Sequence, residues 1–146
     1  MVLKKGDKAP SFELEGSDGN THKLEDYSKV VLYFYPKDNT PGCTTQACNF
    51  RDGMSELQEA GYTVFGVSAD SLSSHEKFKD KYNLNFVLLS DPDKKVIESY
   101  DALKQKSMFG KSFLGIQRCT YVIEKGVITK VIEKSDPSSA TDEILR

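Results

Sequence analysis

Between Val30 and Gly61 the apolar spacing changes period once, and this change constrains the fold more than any other feature of the chain. Val30-Val31-Leu32-Tyr33-Phe34-Tyr35 is an unbroken run of β-branched and aromatic residues closed by Pro36 and a polar loop, which predicts a buried strand. From Cys43 onward the spacing is helical. Cys43, Ala47, Phe50, Met54 and Leu57 recur at steps of four and three, an apolar stripe on one helix face that Gly61 ends as a C′ residue. Thr40 suits the N-cap and Pro41 the first helical position, so Cys43 falls at N3. A thiol at N3 lies near backbone N–H groups without helical partners and near the positive end of the helix dipole, and both favour thiolate over thiol.

Cys48 follows five residues later and falls on another face, with Thr44, Arg51, Ser55 and Glu59. On an ideal helix the rise over that interval is about 7.5 Å and the Cα atoms sit roughly 8.6 Å apart. A disulfide needs less than about 7 Å. If these thiols pair, the first turns of the helix must unwind, and the chain has two conformations linked to its oxidation state. A thioredoxin-type dithiol motif has two residues between its cysteines, whereas this chain has four. The other soft ligands, His22, His75 and Cys119, show no paired spacing, so neither a metal nor a cofactor is expected.

Pro36-Lys37-Asp38-Asn39-Thr40-Pro41-Gly42-Cys43 resembles the active-site loop of peroxiredoxins, and Thr44-Thr45-Gln46-Ala47-Cys48-Asn49-Phe50-Arg51-Asp52 resembles its continuation in the bacterioferritin comigratory protein or PrxQ group. The resemblance extends over nearly the whole chain. Gly6-Asp7-Lys8-Ala9-Pro10-Ser11-Phe12 is similar to the family's opening, Val67-Ser68-Ala69-Asp70-Ser71 and Leu88-Leu89-Ser90-Asp91-Pro92 to its middle strands, and Gly115-Ile116-Gln117-Arg118 to the approach to its second active-site segment.

The resemblance implies that Cys43 is the peroxidatic nucleophile, attacking the O–O bond as thiolate and becoming a sulfenic acid. It implies that Thr40 offers its hydroxyl to the thiolate and the peroxide, that Arg118 supplies a fixed positive charge, and that Pro36 limits solvent access. It also implies that Cys48 resolves the sulfenic acid as an intramolecular Cys43–Cys48 disulfide, re-reduced by thioredoxin or a glutaredoxin system. The implied activity is reduction of hydrogen peroxide and small organic hydroperoxides. On the residues alone two other readings stay open: a thiol–disulfide oxidoreductase acting on proteins, and a redox-sensing module that changes shape when the two thiols pair. Cys119 reads as a small buried residue on the strand face opposite Arg118.

The 146 residues predict one α/β domain over 1–146, and the resemblance sharpens this to a thioredoxin-like fold, a mixed central β-sheet flanked by helices, with an N-terminal β-hairpin extension. Asp18-Gly19-Asn20 predicts the hairpin turn, and Lys125-Gly126 a second hairpin between Thr120–Glu124 and Val127–Glu133. Strands are expected at Thr63–Ser68 and Phe86–Leu89 and helices at Ser74–Tyr82, Asp93–Tyr100 and Ser138–Arg146. His75 is expected in solvent. Lys104 to Leu114 is expected to be a loop whose Met108, Phe109 and Phe113 cover the core or rim the site. A net charge of −2 gives no footprint for nucleic acid or an anionic membrane. There is no apolar run of membrane length and no signal-peptide core in Met1 to Asp7, so a cytoplasmic setting is expected, any targeting segment lying outside the chain as given, and with no exposed apolar helix stripe or long bare strand evident a monomer is expected.

Overall fold

The run predicted as a buried strand is the hub of the sheet. In the computed structural model, which describes residues 3–146, β3 (Lys29–Phe34) pairs in parallel with β4 (Thr63–Ser68) and antiparallel with β8 (Cys119–Glu124). β4 pairs in parallel with β5 (Val87–Ser90), β5 antiparallel with β1 (Glu13–Gly16), and β1 antiparallel with β2 (Thr21–Lys23). On the other flank β8 pairs with β9 (Val127–Ile132), giving the order β2-β1-β5-β4-β3-β8-β9. The helices are α1 (Pro41–Glu59), α2 (Leu72–Tyr82), α3 (Lys95–Ser99) and α4 (Ala140–Leu145). The mixed sheet and both predicted hairpins are present.

Alternation along β3 divides the core. Val30, Leu32 and Phe34 face one side, where they pack with Phe65, Leu89, Ile97 of α3, Tyr100 and Tyr121. Val31, Tyr33 and Tyr35 face the other, against the α1 stripe of Cys43, Ala47, Phe50, Met54 and Leu57, with Phe78 of α2 and Ile144 of α4. A strand buried on both faces reads as continuously apolar, which is why this one has no polar alternation. The α1 stripe is buried along its whole length as predicted. Gly61 ends the helix with φ +89°, its N–H donating to the Gln58 carbonyl (2.9 Å) while that of Tyr62 donates to Leu57 (3.0 Å), a Schellman closure.

Just past Cys48, α1 is fastened to the C-terminal segment. Asn49 Nδ2 donates to the Ser138 carbonyl (2.9 Å), Asn49 Oδ1 accepts from the Thr141 N–H (2.8 Å), and Thr141 Oγ1 donates to the Asn49 carbonyl (2.9 Å).

Two expectations are overturned. The segment expected as a loop forms a two-stranded antiparallel sheet of β6 (Leu103–Met108) and β7 (Lys111–Ile116). Its turn residues Phe109 and Gly110 both have positive φ, 52° and 77°, the geometry of the tight hairpin turns whose usual signal is Asn-Gly. Phe109 is 96% exposed and Phe113 and Leu114 are exposed too, so Phe109 and Phe113 do not cover the core; the side chain of Met108 lies outside the described residues. His75 is the second correction, being fully buried where α2 packs on the sheet.

Candidate active site

Cys43 sits in the first turn of α1 and is 2% exposed. Thr40 occupies the N-cap with extended backbone (φ −95°, ψ 158°), and its carbonyl accepts the first helical bond from Thr44 N–H at 2.8 Å. Its side chain, however, does not cap. The Thr40 hydroxyl donates back to the Lys37 carbonyl at 2.9 Å, which closes the loop and makes no cap bond into the helix. The N–H groups of the first turn are therefore left without a side-chain acceptor, and partial positive charge stays at the cysteine.

Arg118 comes from the residues joining β7 to β8, and the antiparallel pairing of β8 with β3 carries it to the start of α1. Its Nη2 lies 3.4 Å from Cys43 Sγ. Gly42 makes room, since a Cβ there would stand 3.0 Å from the same Nη2. The other arm, Nη1, donates to Gln46 Oε1 at 2.8 Å. Gln46 is fully buried on the turn after Cys43, so one helix presents both the thiol and the acceptor that fixes the cation facing it. The pattern did not single out Gln46, because a polar residue beside an apolar stripe reads as solvent-facing. A fixed guanidinium and a helix N-terminus, both within contact of one sulfur, stabilise a thiolate and any negative charge that develops when it reacts.

Tyr33 lies beneath the thiol. Burial holds its phenol well above the ordinary tyrosine range, with the neighbouring Cys43 and Asp38 adding to the effect. It stays a neutral hydroxyl and does not compete as a nucleophile. Asp38, in the loop ahead of Thr40, is buried against His75, with Oδ2 2.7 Å from His75 Nδ1. Neither residue was singled out for chemistry from the sequence, since no local spacing links α2 to that loop.

Cys48 is half-buried on α1, which runs unbroken through both cysteines, and all three thiols are free. Pro36 is exposed at the edge of the loop. Cys119 is buried, on the face opposite the Cys43 side of the sheet, and burial pushes its thiol up to about 12.

Residues 5–131 match the model of the AhpC/TSA family. The chain is 50% identical over 127 residues to peroxiredoxin Bcp of Bacillus subtilis, covering 86% of this chain and 81% of that one. It is 43% identical over 146 residues to peroxiredoxin Bcp of Escherichia coli K12, covering 98% and 94%. Its fold superposes with TM-score 0.89 and 35% identity on a structure of the Xanthomonas campestris bacterioferritin comigratory protein, studied for alkyl peroxide reduction, over 99% of this chain and 94% of that one. With a matching thioredoxin-like fold and a thiol held at a helix start against a guanidinium, the chain belongs to the AhpC/TSA family and is a peroxiredoxin of the Bcp/PrxQ group, a thiol peroxidase.

Proposed function

We propose that Cys43 is the peroxidatic nucleophile and that the enzyme cycles through an intramolecular Cys43–Cys48 disulfide. The observation that carries this reading is the 3.4 Å approach of Arg118 Nη2 to Cys43 Sγ at the third position of a helix. The thiolate attacks one peroxide oxygen, the O–O bond breaks, sulfur is oxidised to sulfenic acid, and the other oxygen leaves as alkoxide or hydroxide and takes up a proton. Arg118 stabilises charge on both sides of that transfer. The Thr40 hydroxyl, whose hydrogen is engaged by Lys37, keeps lone pairs free to accept from the peroxide O–H. Pro36 shields the loop side of the site.

Cys48 then displaces water from the sulfenic sulfur to give the disulfide. At helical spacing the two Cα atoms stand roughly 8.6 Å apart, so the start of α1 unwinds for this step. Two buried polar atoms of the stretch, Thr44 Oγ1 and Gln46 Nε2, have no hydrogen-bond partner in the wound helix. Each such atom costs about 1–3 kcal/mol, and exposing both to water offsets part of the cost of unwinding. An external dithiol protein of the thioredoxin or glutaredoxin class reduces the opened disulfide. Hydrogen peroxide and small organic hydroperoxides fit the reaction as substrates. The reading places Cys43, Cys48, Thr40 and Arg118 in a single 1–146 domain that works as a monomer. Among the described residues no helix is long and apolar enough to cross a membrane, and a cytoplasmic setting suits three free thiols.

Intact mass after one equivalent of hydrogen peroxide tests the cycle. The reduced protein should lose two hydrogens, and proteolysis should map the bond to Cys43 and Cys48. Cys48→Ser should consume its one equivalent at nearly the wild-type rate, accumulate a dimedone-reactive sulfenic acid and lose turnover. An unchanged wild-type mass, or a disulfide mapped to Cys119, overturns the reading.

A further inference from the structure

The loop from Pro36 to Thr40 sets where α1 begins, and its middle residue is anchored from several directions. Asp38 Oδ1 accepts from Tyr35 Oη at 2.5 Å, Oδ2 accepts from Ser74 Oγ at 2.8 Å, and its backbone N–H donates to Asp70 Oδ2 at 2.8 Å. His75 Nδ1 stands 2.7 Å from the same Asp38 Oδ2, with both side chains almost wholly out of solvent. Burial, with Tyr33 and Asp38 adding to it, holds the Tyr35 phenol well above its ordinary range, so it remains a donor.

The partners fix the protons. His75 Nε2 lies 3.0 Å from the Leu89 carbonyl, which only accepts, so Nε2 carries hydrogen. An imidazole nitrogen and a carboxylate oxygen at 2.7 Å then require a further proton between them, since two bare acceptors repel at that distance. The pair is joined by that proton and ties β3, α2 and β5 to one point of the loop. The same surroundings supply Asp70, giving the donor set of a cation site. Each facing atom is already hydrogen-bonded, Asp70 Oδ2 by Ser68 Oγ (2.8 Å) as well as by Asp38, so the set works as a hydrogen-bonded network.

A buried ionisable pair contributes little to stability compared with apolar residues of the same volume. What this pair does provide is a fixed location. Asn39 follows with φ +58°, so the backbone reverses immediately after the anchored residue and delivers Thr40 to the N-cap. We infer that the Asp38–His75 pair is a positioning device for the peroxidatic loop, holding the start of α1 so that Cys43 Sγ meets Arg118, and that it stays closed as the loop's fixed post when the helix unwinds. The inference rests on Cys43 being the nucleophile.

Three variants test it in stopped-flow oxidation of the reduced protein and in the pH profile of Cys43 alkylation. Asp38→Ala and His75→Ala should slow oxidation by about tenfold to a hundredfold, the scale of a small misplacement at a reacting atom, and should move the alkylation profile to higher pH. Asp38→Asn keeps the shape, still accepts from Tyr35 and donates to His75 Nδ1, and should recover most of the rate. If the alanine variants do not fold, Asp38→Asn and Ser74→Ala carry the test, the latter expected about two- to fivefold slower for loss of one donor. Folded Ala variants with wild-type rates and alkylation profiles overturn the inference, as does a Ser74→Ala that matches wild type when neither Ala variant folds. Loss of amide exchange protection around His75 in the oxidised wild type overturns the fixed-post element. A wild type that consumes no peroxide would instead remove the assignment of Cys43, so the two failures are distinguishable.

Discussion

Cys43 and Cys119 are the two most buried thiols of the chain, 2% and 4% exposed, and both neighbour Arg118, one in space and the other in sequence. Their surroundings differ in what they offer a negative charge. Cys43 has a guanidinium in contact and a helix start with uncapped N–H groups. Cys119 has burial as its dominant influence, which pushes its thiol up to about 12, with Lys104 pulling down and Asp101 pushing up as lesser effects. Access does not separate them either, because Cys119 lines a cavity of about 260 Å³ with Asp101, Lys104, Gln117 and Tyr121. The two sulfurs thus differ in the charge placed around them more than in their exposure, and it is such charge that sets thiol reactivity.

The largest effect that could break this contrast is exchange of the sulfurs for inert side chains. Cys43→Ser should lose essentially all peroxide consumption, whereas Cys119→Ala should keep its rate within about twofold, since the latter group touches none of the reacting atoms. Comparable losses in the two variants, measured by coupled reduction assay, would show that both thiols belong to the cycle.

Removing the cation should leave the two cysteines more alike. Arg118→Ala should slow oxidation of Cys43 by about a hundredfold or more and move its alkylation profile to higher pH, with no change at Cys119. Gln46→Leu frees one arm of the guanidinium and should act in the same direction with a smaller loss. Identical alkylation profiles in wild type and Arg118→Ala would mean that helix position alone sets the thiolate.

The smallest effect is on stability at alkaline pH. Burial raises the folded Cys119 thiol above its ordinary value of 9.0 to about 12, so its neutral form contributes stability that is complete below the unfolded value and lost between about pH 9 and 12. The raised Tyr100 and Tyr121 phenols act with the same sign at higher pH. Urea midpoints of wild type should therefore fall more steeply from about pH 8.5 to about pH 10 than those of Cys119→Ala, with the wild type more stable at about pH 7 for packing reasons. Parallel slopes would place the alkaline loss elsewhere.

What the sequence made legible was local. The β3 run, the α1 stripe, the cap at Thr40 and the turn at Asp18-Gly19 each depend on residues within a few positions of one another, and all are where the pattern put them. The resemblance supplied Arg118, which no spacing could have brought to Cys43. The partners that fix it were not legible. Gln46 and His75 are polar residues whose burial depends on what arrives from 72 and 37 positions away. The β6–β7 hairpin was missed because its contact with the core is confined to its inner end, at Ile116 and Leu103. With Phe113 and Leu114 on opposite sides and both exposed, there is no alternation to find, and Phe109-Gly110 stands where a turn would ordinarily use Asn-Gly. The bond from the Thr40 hydroxyl to the Lys37 carbonyl was not legible for a related reason, as an N-cap residue can bond forward into the helix or back into its own loop.

The triple fastening of Asn49 to Ser138 and Thr141 has a consequence for time. With that anchor immediately after Cys48 and Asp38 held upstream, a stretch that opened as proposed would be a short closed loop of about ten residues, and contacts across such a loop form within about 10–100 ns. Helix elongation adds only about nanoseconds per residue. In the proposed cycle, contacts across that loop would re-form after reduction many orders of magnitude faster than an enzyme of ordinary speed turns over, at about 1 to 1000 per second. On that proposal loop closure would not limit the rate, which would be left to peroxide encounter and to the arrival of the reductant, and the Asn49 anchor would be what keeps rewinding out of the kinetics.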